Sequence, residues 1–155
     1  MASRWTPLRD TQRAMAQDNL EVRRWIENMR GAISAWNLED LDAFLETWHP
    51  ECEWRPAFPR SLEGIGKIYR GHEGIAQAWR GVRGVWDEYR LDPEDAEVVG
   101  DRLVAIGRVY ARGKGSGVEL NSGWSALARF RDGLAISAWD WLDREEAARA
   151  AHRPE

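Results

Sequence analysis

The hydrophobic period of this chain changes once, and the change decides its fold class. Up to about Tyr89 the apolar residues recur at three- and four-residue intervals, as on one face of a helix, whereas beyond Asp95 they alternate with period two, as on strands. Helices first and hairpin-linked strands afterwards imply an α+β domain, with helices covering one face of a curved, mostly antiparallel sheet.

The first helix is predicted from an acidic capping pair, Asp18 with Glu21, followed by Val22, Trp25, Ile26, Met29, Ile33 and Trp36 on one stripe. Asn37 is expected to cap a second helix carrying Leu38, Leu41, Phe44, Leu45 and Trp48, which Pro50 ends. Cys52 to Pro56 reads as a short extended segment and Ala57 to Lys67, with Pro59, Gly64 and Gly66, as a loop. A third helix is predicted from His72 through Ile75, Trp79, Val82, Trp86 and Tyr89, closed by Asp92-Pro93. Four strands follow, Ala96 to Val99, Leu103 to Arg112, Gly117 to Arg131 and Leu134 to Leu142, separated by turn residues at Gly100-Asp101, Gly113 to Gly115 and Asp132-Gly133. Asp143 and Glu146 open a short terminal helix. Residues 1–16 read as an extension, 17–151 as one domain and 152–155 as a tail.

Composition excludes several function classes. No apolar run approaches the roughly 18 residues of a membrane span, and a formal net charge of -4 is unlike a domain that grips a phosphate backbone. Neither membrane nor nucleic acid is an expected partner. A lone cysteine, Cys52, allows no internal disulfide, and the first residues lack an apolar signal core, so the cytoplasm is the expected location. His49, His72 and His152 are too scattered to hold a metal, and Gly64, Gly66 and Gly71 do not follow a strand as a dinucleotide-binding loop would. No metal and no cofactor is expected. The anomaly is tryptophan, ten of them against three Phe and three Tyr. Trp25, Trp36, Trp48, Trp79 and Trp86 fall on predicted helical stripes and are expected to build a core wall, while Trp54, Tyr69 and Trp124 lie where a pocket would open.

Several phrases carry a resemblance: Trp36-Asn37-Leu38-Glu39-Asp40-Leu41-Asp42-Ala43-Phe44, His49-Pro50-Glu51-Cys52-Glu53-Trp54, Tyr69-Arg70-Gly71-His72-Glu73-Gly74-Ile75, Phe130-Arg131-Asp132-Gly133 and Trp139-Asp140-Trp141-Leu142-Asp143. In this order and spacing, from Gln17 to Ala150, they resemble the polyketide-cyclase-like (SnoaL-like) branch of the nuclear-transport-factor-2-like (NTF2-like) superfamily. The resemblance implies a cone-shaped fold with three N-terminal helices on the concave face of a mixed, mostly antiparallel sheet, and a homodimer. Isomerases, dehydratases, hydrolases, cyclases and non-catalytic binding modules all share that fold, so chemistry must be read from the site.

Strand alternation puts Leu120, Ser122, Trp124, Ala126 and Ala128 on one face, and Leu134, Ile136, Ala138, Asp140 and Leu142 on one face of the last strand. Asp140 thus interrupts an apolar row, where a carboxylate is costly unless paired or protonated. Arg108, which shares a row with Val104, Ile106 and Tyr110, is its expected counter-ion, and Tyr110 a hydrogen-bond donor. By resemblance to the epoxide-hydrolase branch, Arg108, Tyr110 and Asp140 occupy an Arg-x-Asp plus Asp constellation in which Tyr110 replaces one carboxylate. That leaves Asp140 as base, Arg108 as its orienting partner and Tyr110 as donor, a set suited to proton abstraction or aldol-type closure on a small apolar or aromatic molecule. Trp54, Tyr69, Ser122 and Trp124 are the expected ligand contacts. The competing readings are a buried structural ion pair, a non-catalytic ligand-binding domain and a dimerisation module, the last suggested by Trp139 and Trp141 on the face opposite Asp140.

Overall fold

The computed structural model describes residues 6–7, 20–57 and 67–153. Helix α1 spans Leu20–Asn37 and buries Val22, Trp25, Ile26, Ile33 and Trp36, the stripe its periodicity predicts; Asp18 of the expected capping pair lies outside the described residues.

The second helix differs from expectation at both ends. Asn37 does not cap it, because the Asn37 amide is engaged elsewhere: Nδ2 donates to the Leu91 carbonyl (2.8 Å) and Oδ1 accepts from the Leu91 amide (2.9 Å). Glu39 instead turns the chain through a positive φ of 57°, and Asp40 caps helix α2, Leu41–Glu46, by accepting from the Ala43 amide. Trp48 then opens strand β2, Trp48–Arg55. Pro50 therefore lies inside a strand, at the register break between Trp48 and Glu53, where a residue without an N–H is tolerated.

The third helix also ends early. After Thr6–Pro7 (β1) and Tyr69–Arg70 (β3), helix α3 covers Gly71–Val85, and Trp86–Val99 forms strand β4. Trp86 and Tyr89 thus belong to a strand. Asp92-Pro93 sits at a bulge within it, since the register with the next strand shifts between Pro93 and Asp95. Gly107 across from Pro93 is required there, because a side chain at that position would run into the Asp92 carbonyl. Tertiary pairing along a long hairpin overrides the helical spacing, which Gly81 and Gly84 already weaken.

Strands β5 (Arg102–Gly113), β6 (Glu119–Arg131) and β7 (Leu134–Trp141) complete the meander, and helix α4 covers Glu146–His152. Asp132 and Gly133, with φ of 55° and 78°, make the tight β6–β7 turn. The sheet order is β1-β4-β5-β6-β7-β2-β3, antiparallel except where β2 runs parallel to β7. Helices α1 to α3 pack on its inner face around Trp36, Phe44, Ile75 and Trp79. The opposite face is covered at Val104 by Ala147, Ala148 and Ala151 of α4. The buried Ser125 hydroxyl pins α4 there, donating to the Asp143 carbonyl (2.6 Å) and accepting from the Ala147 amide (3.0 Å).

Candidate functional site

Cross-strand register decides which side chains meet inside. Ala105 pairs with Ala126, and Ala126 with Asp140, so these three share the inner face. Trp124 lies two residues from Ala126 on the same side, and Trp54 pairs with Ala138 across the parallel β2–β7 edge. Both tryptophans turn their indole N–H groups on the one carboxylate: Trp54 Nε1 donates to Oδ1 (3.3 Å) and Trp124 Nε1 to Oδ2 (3.2 Å).

Above this point the fold leaves a cavity of about 100 Å³, of the scale of an engineered void of roughly 150 Å³ that takes up benzene. Met29, Ile33 and Trp36 of α1, Phe44 of α2, and Trp48 of β2 form its wall, with Tyr89 and Leu91 of β4 closing one side. The rings interlock edge to face: Trp36 meets Trp54 at 85°, Trp79 at 76° and Tyr89 at 78°, and Phe44 meets Trp48 at 69°.

Among the described residues that line the cavity, none beside Asp140 carries a cationic side chain. Burial pushes its carboxyl up to about 7, and the two indole hydrogen bonds hold it only partly down. Tyr89, also buried, has its hydroxyl pushed above the usual phenol range by burial first and by the Asp140 charge second, so it stays neutral. Trp48 Nε1 is buried with no hydrogen-bond partner among the described residues, an uncommon condition for an indole donor. Among the described residues no group of three His, Cys, Asp or Glu could hold a metal ion, and no helix is long and apolar enough to cross a membrane.

The family model of the SnoaL-like domain matches residues 21–138. The chain belongs to the SnoaL-like family. Solved structures share its fold: an NTF2-like protein of unknown function from Burkholderia pseudomallei (24% identity, TM-score 0.68, 84% of this chain and 98% of that one), TerC co-crystallised with polyporic acid (24%, 0.67, 84% and 99%), and a candidate polyketide cyclase from Xanthomonas campestris (15%, 0.67, 84% and 98%). No curated protein sequence matches the chain. The α+β, NTF2-like architecture implied by the motif phrases is therefore the architecture this SnoaL-like chain has.

Of the residues singled out from sequence, the SnoaL-like fold brings Asp140, Trp54 and Trp124 together and leaves the others apart. Arg108 is exposed on the opposite face, where its guanidinium donates to Asn121 Oδ1 (2.7 and 3.2 Å). Tyr110 shares that face and donates to Glu119 (3.3 Å), with Arg90 over its ring. The expected Arg108–Asp140 pair is thus corrected: Asp140 shares a face with the odd-numbered residues of β5, and Arg108 and Tyr110 are even. Sequence alternation could not supply that phase, because both rows of β5 are apolar; Val104 is apolar to receive α4, not the cavity. Ser122 bonds the Gly123 and Leu142 carbonyls at the strand end, and Tyr69 stacks under Lys67 beside β2; neither is among the described cavity residues. Tyr89 was the residue missed, hidden by its helical spacing to Trp86; the alternation Tyr89, Leu91 is the signal that reveals it.

Proposed function

We propose that this SnoaL-like protein binds a small, largely apolar molecule in the aromatic cavity and exchanges a proton with it through Asp140. The observation that carries the reading is the Asp140 carboxyl, set in an apolar cavity between two indole donors and poised near neutrality. A group with a midpoint of about 7 can take a proton in one step and return it in the next without large cost, which is what a general acid/base requires. Arg108 and Tyr110 take no part in this scheme. TerC, of the same fold, was co-crystallised with polyporic acid, so this fold can hold a small organic molecule.

A panel of small aromatic and terpenoid compounds should quench tryptophan emission and raise the melting temperature. A hit incubated in heavy water should exchange an acidic C–H faster with the wild type than with Asp140→Asn. Binding without any Asp140-dependent exchange leaves a binding protein and removes the acid/base step. Quaternary structure is read the same way: Trp139 is 39% exposed and stacks on Trp141 at 4.6 Å on the outer face, a surface suited to a second copy. Sedimentation showing only monomer would sink that dimer.

A further inference from the structure

If the cavity admits a small ligand at Asp140, as proposed above, the chemistry of its walls also selects the sign of that ligand's charge. The Asp140 carboxylate is met by two neutral donors, Trp54 and Trp124, and by no guanidinium, ammonium or imidazole among the described lining residues. Neutral donors solvate an anion without cancelling it, so a buried carboxylate held this way still lacks a counter-charge. The surrounding rings have the same polarity. Aromatic faces carry negative quadrupole density, and the positive indole edges of Trp54, Trp124 and Trp36 are spent inside the protein, the last on the Tyr89 carbonyl at 2.9 Å.

The back of the same wall already shows what it attracts. The Arg83 guanidinium sits 4.8 Å from the Trp36 ring and 4.9 Å from the Trp79 ring, with Glu39 3.6 Å away. At longer range the formal net charge of -4 also favours cations at the protein surface.

We propose that the cavity accepts a small organic cation, an ammonium group with an apolar surround, seated against Asp140 within the aromatic wall. The ammonium supplies the counter-charge that the described lining residues omit, and its alkyl groups replace water against the rings. An anionic ligand meets the opposite situation, facing a carboxylate and electron-rich ring faces together.

Choline and its uncharged tert-butyl analogue, in which carbon replaces the ammonium nitrogen, have nearly the same shape and separate charge from fit. Calorimetry on the full chain, about one pH unit above the Asp140 midpoint, should show choline binding at least about tenfold more tightly, the scale of a desolvated cation among aromatic rings. In Asp140→Asn the two affinities should converge. The wild-type preference should fade as pH falls through the midpoint; Tyr89 is the other ionisable group among the described lining residues and is neutral throughout. An analogue that binds as well as choline, or better, overturns the cation proposal and leaves the small-ligand reading standing. Silence from both compounds and from the aromatic panel removes both.

Discussion

The two faces of strands β5 to β7 are made by alternate residues of the same segments, yet they treat charge in opposite ways. On the inner face stands one carboxyl, Asp140, surrounded by rings and raised towards neutrality by burial. On the outer side guanidinium groups stand against carboxylates: Arg102 and Arg129 both approach Asp101, and Arg149 and Arg153 both bond Glu146, whose carboxyl they hold below its ordinary value. The behaviour of Asp140 is set by the parity of its position and the neighbours that parity supplies. Moving an acid by one residue along a strand would exchange one environment for the other.

The largest expected break in this contrast is Trp36→Ala. Trp36 is 2% exposed and meets five other side chains of the wall, counting Arg83, so its loss should cost about 3–5 kcal/mol in urea unfolding. Trp139→Ala on the outer face should cost about 1 kcal/mol or less in a monomer.

Next comes the pH dependence of stability. The Asp140 carboxyl has a folded midpoint of about 7 against about 3.9 unfolded. Between these values the folded state binds more proton, so this contribution is complete below about pH 4 and is lost as pH rises towards 7, at up to roughly 1.4 kcal/mol per unit. Thermal melts of wild type and Asp140→Asn across that window should show the decline in the first and not the second.

Trp124→Phe removes one N–H from the carboxylate and should raise the Asp140 midpoint further, by about one unit, in a carbon-detected NMR titration. The smallest effect belongs to Arg108→Ala, which should change stability by less than about 0.5 kcal/mol and leave the Asp140 titration where it was. A displaced midpoint in that variant would mean that the two faces communicate.

The period change, the four strand cores and the α1 stripe were legible because burial on one face writes a pattern into the chain. Where a segment serves two constraints, the pattern misleads. Trp86 and Tyr89 keep helical spacing from Trp79 and Val82 yet belong to β4, because pairing with β5 outweighs a helix weakened by Gly81 and Gly84. Asp140 was legible as the polar residue in an apolar row. Its partners were half legible: Trp54 and Trp124 stood out as pocket aromatics, but that their N–H groups converge on Asp140 depends on the parallel β2–β7 register, which no local pattern encodes.

That parallel register also gives the site a history. Trp54 and Asp140 are 86 residues apart in sequence, so their contact closes one of the longer loops in the chain and forms only after β7 has docked beside β2. Entropy for that closure must be spent before the contact rewards it, which places the carboxylate's solvation among the late events of folding. In order of synthesis Trp36, Phe44, Trp48 and Tyr89 all precede Asp140. A molecule that needs Asp140 therefore recognises finished protein and gives no help to a chain still being made.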